Sequence, residues 1–131
     1  MKYLSNYTDQ AITDLFENNG AFFAFGDKQF NEKKKEGVKY TALYGGLVAP
    51  SKNVDIILKS LDNIRQEGIK LDIKENGIKN IIWREFSNYE CQIVMNYDDV
   101  LEPLEGYGIS KERLAKEWKA YFKHCIDNDL F

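Results

Sequence analysis

Residues 52–67, KNVDIILKSLDNIRQE, form the clearest structural pattern in this chain. The apolar residues among them recur at three- and four-residue steps, the pattern of a helix that buries one face against the rest of the protein. These residues are Val54, Ile57, Leu58, Leu61 and Ile64. Because Gly68 follows directly, we predict a helix from Lys52 to Glu67 that ends at a glycine C-cap.

Strand patterns precede this helix. Residues 21–25, AFFAF, form a continuous apolar run rich in aromatic side chains, which predicts a short buried strand. Residues 38–44 and 47–49 predict two more strands. The glycine pair 45–46 between them predicts a tight hairpin turn, since consecutive glycines accept positive φ at both turn positions. The pairing of these strands indicates a small, mainly antiparallel sheet.

Helical patterns occupy most of the remaining chain. We predict helices at residues 8–18, 27–35, 69–76, 78–90 and 98–106, and a last helix that begins after Ser110. Thr8 and Ser110 are suited to cap the helices that follow them, and Gly20 is suited to a left-handed cap after the first. Residues 92–95 are predicted as a short strand. The sum is an α+β protein in which a small, mainly antiparallel sheet packs against four to six helices.

Length and composition predict one globular domain over residues 1–131, because 44% apolar residues supply enough surface to offset chain entropy. A net charge of −3 argues against a dedicated nucleic-acid coat or a polybasic membrane protein. The longest apolar run, 21–25, is far below the ~20 residues that span a bilayer. The start of the chain also lacks the apolar segment of a signal peptide. We therefore expect a cytoplasmic protein without membrane contact.

The residue types of common catalytic and metal sites are scarce. The chain has one histidine, His124, and two cysteines, Cys91 and Cys125. Two cysteines are too few for a disulfide framework. Together with the histidine they are one ligand short of a four-ligand zinc site. We expect two reduced, buried thiols, no catalytic set, no metal and no cofactor. The glycine pair 45–46 lacks the Lys-Ser/Thr ending of a phosphate loop.

Aromatic residues are the best candidates for contact with a partner protein, since tyrosine and tryptophan are favoured interface anchors. At the edges of the predicted apolar stripes, aromatic side chains alternate with charged ones. Core packing is the structural alternative for each aromatic. The residues that we predict to bind a partner are Trp83, Arg84, Tyr89, Glu90, Tyr97, Asp98, Asp99 and Tyr107.

Two other functions fit local patterns. The only basic concentration would serve a nucleic-acid-binding module, with lysines on phosphates and a tyrosine stacked on a base, unless it is simply a solvated helix face. It comprises Lys28, Lys33, Lys34, Lys35, Lys39 and Tyr40. The adjoining pair Glu90 and Cys91 would serve a small enzyme, with the glutamate as base or ligand.

A set of short motifs resembles one family. Residues 22–30 (FFAFGDKQF), 44–50 (YGGLVAP), 84–91 (REFSNYEC) and 104–109 (LEGYGI) are similar to small phage- and prophage-encoded proteins of unknown function from Gram-positive bacteria. Tyr89 stands where many of these relatives have histidine, which argues against histidine-based chemistry here.

The resemblance implies an origin in a mobile element, and small phage proteins often act by binding a host machine. We therefore expect an accessory protein whose partner is a host protein or ribonucleoprotein complex. An inhibitor of a bacterial defence system, such as an anti-CRISPR, fits this expectation.

Overall fold

A three-stranded antiparallel sheet and six α-helices make up the chain in the computed structural model, which describes residues 1–131. This confirms the predicted α+β class. The helices are α1 (Leu4–Asn18), α2 (Asp27–Lys33), α3 (Val54–Asn76), α4 (Ile78–Asn88), α5 (Cys91–Val94) and α6 (Lys111–Asp127). The strands are β1 (Phe22–Phe23), β2 (Tyr40–Ala42) and β3 (Leu47–Pro50), and 3-10 turns lie at Ser51–Asn53 and Asp98–Val100.

The sheet is centred on β3, which pairs antiparallel with β1 on one side and β2 on the other. All four residues of β3 are buried, as expected of a central strand. Gly45 and Gly46 have φ values of 57° and 82°, so the predicted glycine hairpin is confirmed. The outer strands are shorter than the predicted 21–25 and 38–44, because β1 pairs only with Leu47 and Val48 and β2 pairs only with residues 48–50.

The first two helices differ from their predicted bounds. α1 begins at Leu4, so Thr8 is a buried residue inside the helix and does not cap it. Its end is as predicted, since Gly20 has a φ of 69° and the Ala21 N–H bonds the Phe16 carbonyl at 2.9 Å. α2 stops at Lys33, two residues early, because Lys34 adopts an extended conformation.

The helix that we predicted from Lys52 to Glu67 is longer in the structure. α3 starts at Val54 and continues through Gly68 to Asn76, so the predicted C-cap at Gly68 and the separate helix 69–76 are both wrong. A glycine inside a helix costs about 1 kcal/mol relative to alanine. Burial of the apolar side chain that follows it, Ile69, outweighs this local cost.

Between α4 and α6 the predictions fail in part. Residues 92–95 do not form a strand, because Glu90 and Met95 take left-handed conformations (φ 49° and 65°) that confine α5 to a single helical turn. The predicted helix 98–106 is reduced to the 3-10 turn at its start. The N-cap of α6 is confirmed, since the Ser110 hydroxyl accepts a bond from the Arg113 N–H at 3.0 Å.

The residues group into two compact units, Ser5–Gly68 and Met1–Leu4 with Ile69–Phe131. The first unit holds the sheet, and its buried residues include all of β3 and Ile57. The second holds a core centred on Phe86. That the chain forms one domain stays a prediction. No helix has both the length and the apolar character that crossing a bilayer requires.

Candidate functional site

The most concentrated polar chemistry lies in the second unit, around the buried carboxylate of Asp72. Its Oδ1 accepts hydrogen bonds from Arg84 Nη1 at 2.9 Å and from Asn76 Nδ2 at 2.8 Å. Its Oδ2 accepts from Arg84 Nη2 at 3.1 Å and from the Tyr107 hydroxyl at 2.6 Å. Arg84 and Asp72 therefore form a two-bond ion pair that is closed off from water. We call these four residues the Asp72 network.

The rest of the Arg84 guanidinium is also engaged. Nε donates to Glu85 Oε1 at 3.1 Å, and Nη1 donates to the Lys2 carbonyl at 3.0 Å. No buried side-chain nitrogen or oxygen lacks a hydrogen-bond partner. A network in which every buried polar atom has a partner stabilises a single arrangement.

The pKa values of Asp72 and Tyr107 also indicate a structural role for the Asp72 network. Burial opposes ionisation of Asp72, but hydrogen bonds from Arg84, Tyr107 and Asn76 outweigh it and hold the pKa of the carboxyl below its ordinary 3.8. Burial, together with the hydrogen bond to Asp72, raises the pKa of Tyr107 well above its ordinary 10. Because neither group changes protonation near neutral pH, neither is suited to general acid–base catalysis.

The aromatic candidates lie partly in the core. Trp83 is half-buried, with its ring 5.3 Å from Tyr121, and its Nε1 donates to Glu117 Oε1 at 3.0 Å. Tyr97 is half-buried against Phe86, at a centroid distance of 6.0 Å. These contacts match the core-packing alternative for both residues.

The residues predicted for partner binding therefore fall into two groups. Arg84 and Tyr107 belong to the Asp72 network, and Trp83 and Tyr97 pack in the aromatic core. Four of the predicted residues lie exposed along one stretch of chain: Tyr89, Glu90, Asp98 and Asp99.

That stretch carries charge of one sign. Residues 85–110, which we call the acidic segment, contain six carboxylates and neither lysine nor arginine. All of these carboxylates except Glu85 are exposed. Five apolar side chains between them are 38–65% exposed, a large fraction for such residues: Tyr89, Ile93, Val94, Met95 and Leu101.

An open, largely apolar pocket of about 520 Å³ lies within the second unit at the acidic segment. Its walls include Leu101, Leu104, Ile109 and Leu114, and Glu105 supplies a carboxylate. Sequence reasoning missed this pocket. The available signal was the apolar spacing at 101 and 104 beside Gly106 and Gly108, which we assigned to a helix.

Cys91, which we predicted with Glu90 as the centre of a small enzyme, does not have a reactive thiol. Cys91 is fully buried, and burial, with a smaller contribution from the charge of Asp99, raises its pKa to about 11. The thiol is therefore protonated at neutral pH and is a poor nucleophile. Cys91 and Cys125 are both free and buried, as predicted. No group of three or more metal-ligating side chains is placed to hold an ion.

The basic residues lie in the first unit. All five predicted lysines are exposed, and Tyr40 is half-buried. Lys33, Lys35 and Tyr40 line one pocket, whereas Lys28 and Lys34 lie outside it. Lys39 lines a smaller neighbouring cavity. Lys52 lines both cavities, and sequence reasoning did not associate it with this group.

A family model described as "Family of unknown function (DUF7659)" matches residues 4–124. The chain belongs to this family. The match spans residues of both compact units, including the Asp72 network and the acidic segment. No curated protein and no solved structure matches the chain.

Replacing Tyr107 with phenylalanine tests the Asp72 network in this DUF7659 protein. The change removes one hydrogen bond to a buried charge, so we expect the free energy of unfolding to fall by about 1.5–3 kcal/mol in urea denaturation at pH 7. Tyr44→Phe, at an exposed tyrosine, is the control and should change it by less than about 0.5 kcal/mol. Equal effects of the two variants would contradict a structural role for Tyr107.

The lowered pKa of Asp72 predicts that the effect of Tyr107→Phe depends on pH. Because the pKa of Asp72 is lower in the folded than in the unfolded protein, its ionised form stabilises the fold above pH 3.8. This stabilisation is lost as the pH falls through the folded-state pKa. We therefore expect the stability difference between wild type and Tyr107→Phe to shrink on acidification below pH 3.8, as measured by urea denaturation. A difference that stays constant would show that Tyr107 does not bond the carboxylate.

Proposed function

We propose that the protein is a binding module whose acidic segment docks onto a basic surface of a partner protein. The observation that carries this proposal is the apolar pocket of about 520 Å³ within a segment whose only charges are negative. A protein interface needs an apolar centre for affinity and complementary charge around it for orientation. The acidic segment offers both.

Charge favours a basic partner. The acidic segment has five exposed carboxylates and neither lysine nor arginine, a composition that favours attraction to lysine- and arginine-rich surfaces and raises association rates. A nucleic acid would be repelled by the same carboxylates. The partner at this segment is therefore a protein.

The exposed apolar residues supply anchoring area. α5 places Cys91 in the core and leaves Ile93 and Val94 exposed. The left-handed conformations of Glu90 and Met95 on either side cost about 1–3 kcal/mol each in non-glycine residues. Such strain is typical of binding sites, which supports a role for this helical turn in contact with the partner.

A nuclease of a bacterial defence system has the required chemistry, because surfaces that bind nucleic-acid phosphates are rich in lysine and arginine. An acidic protein docked there would block access of the nucleic acid. The resemblance to small phage and prophage proteins supports this assignment, with the chain as an anti-defence inhibitor of mobile-element origin. A CRISPR effector complex is the partner we would test first.

The test is biolayer interferometry between the full chain and purified CRISPR effector nucleases. We expect saturable, salt-sensitive binding that falls at least about tenfold in the Asp98→Lys/Asp99→Lys variant. Leu101→Gln, which makes one wall of the pocket polar, should also weaken binding. Salt sensitivity alone would not distinguish docking from general attraction between unlike charges.

A matched charge reversal provides the control. Asp9→Lys/Glu17→Lys alters two exposed carboxylates of α1 and changes the net charge by the same amount. It should leave affinity within about twofold, because long-range attraction between exposed charges is largely screened at physiological salt. Equal losses in both double variants, or no binding to any of the nucleases, would overturn the proposal.

A further inference from the structure

The first unit contains an open pocket of about 470 Å³ whose only charged lining residues are lysines. Lys33, Lys35 and Lys52 approach it from three different positions: the end of α2, the loop after α2, and the 3-10 turn before α3. None of the lining residues of this pocket belongs to the acidic segment. We call it the lysine pocket.

Hydrogen bonds fix the walls of the lysine pocket. Asn53 Nδ2 donates to the Asn19 carbonyl at 3.0 Å, which ties the 3-10 turn to the end of α1. Lys33 Nζ donates to the Phe23 carbonyl at 2.6 Å, and the Lys35 N–H donates to the Tyr40 hydroxyl at 2.9 Å. The site is thus assembled from preformed elements, as ligand pockets usually are.

An aromatic group forms one wall. The Phe22 and Tyr40 rings both line the lysine pocket and meet edge-to-face at 5.5 Å. Phe30 supports them from behind, 5.6 Å from Tyr40 and 6.2 Å from Phe22. The pocket therefore offers an apolar, planar surface next to cationic groups.

The positive charge in the lysine pocket is not compensated. No carboxylate lines the pocket, and neither Lys35 nor Lys52 takes part in an ion pair. Three lysines that line one pocket give it a positive charge that favours a bound anion. Lysine is a common ligand of phosphate groups, and the amides of Asn18, Asn19 and Asn53 add potential hydrogen-bond donors.

We propose that the lysine pocket binds a nucleoside phosphate. The phosphate lies among Lys33, Lys35 and Lys52, and the base lies against the wall of Phe22 and Tyr40. The volume falls within the range of about 300–1,000 Å³ typical of small-molecule sites. The same chemistry is presented by a free nucleotide and by one nucleotide of a single strand, and the experiment distinguishes these two sources.

The experiment is isothermal titration calorimetry on the full chain with four probes: AMP, adenosine, inorganic phosphate and a single-stranded decadeoxyadenylate. We expect saturable binding of AMP, at least about tenfold tighter than that of adenosine or of phosphate alone. Affinity for the decamer close to that of AMP identifies a free nucleotide as the ligand. Affinity more than tenfold higher identifies a single strand and supports the nucleic-acid function predicted for the basic residues.

Variants locate the site. Lys35→Ala/Lys52→Ala removes two exposed ammonium groups that form no side-chain hydrogen bond or ion pair within the protein, so the circular dichroism spectrum should not change. We expect this variant to bind AMP at least about tenfold more weakly, since bonds to charged groups are among the strongest. Lys59→Ala/Lys74→Ala removes the same charge from two exposed lysines of α3 that do not line the pocket, and should have less than a twofold effect.

Three results would overturn the proposal. The first is the absence of saturable AMP binding. The second is an equal loss of affinity in the two lysine variants, which would indicate attraction to net charge. The third is equal affinity for AMP and inorganic phosphate, which would show that the aromatic wall does not contact a base.

Discussion

The buried charge of Asp72 is the constraint on which the second unit depends. A carboxylate removed from water costs several kcal/mol unless charge and hydrogen bonds replace its hydration. Arg84 from α4, Tyr107 from the loop before α6 and Asn76 from α3 supply that replacement. Because the partners come from three segments, the network fixes the positions of α4 and the pre-α6 loop against the last turns of α3.

This arrangement separates the buried carboxylate of the acidic segment from the exposed ones. Glu85 faces inward and bonds Arg84, whereas the other carboxylates face water. Tyr107 anchors the C-terminal part of the segment, and the fully buried Cys91 anchors α5. Between these two anchors, exposed acids and apolar side chains are presented on a supported backbone. An interface built on such a backbone loses less conformational entropy on binding.

Local signals in the sequence predict much of the fold. The helical pattern from Val54 to Ile64, the glycine hairpin and the Ser110 cap depend on neighbouring residues, and all three occur in the structure. The predicted buried stripe is wrong at Leu58, which is 45% exposed, whereas Ile57 is fully buried. The extension of α3 past Gly68 and the turn of α5 depend on packing with distant residues, which periodicity does not report. Asp72 within an apolar pattern was a signal for a buried ion pair, but its partners lie 12 and 35 positions away.

For the candidate sites, too, the sequence does not report contacts between distant residues. The lysines of the first unit were recognisable as a basic group, but the contribution of Lys52 depends on the return of the chain through the sheet. Arg84 and Tyr107 were selected as surface residues because a sequence does not reveal that one buried carboxylate binds both. Charge segregation over residues 85–110 was visible in the sequence, and its exposure required the structure.

A double-mutant cycle on Asp72 and Arg84 measures how strongly their ion pair stabilises the fold. The free energy of unfolding is measured for wild type, Asp72→Asn, Arg84→Gln and the double variant. We predict that each single change is strongly destabilising, and that the double change costs less than the sum of the two by about 2 kcal/mol or more. Costs that add to within about 0.5 kcal/mol would mean that the two side chains act independently, which contradicts a stabilising ion pair between Asp72 and Arg84.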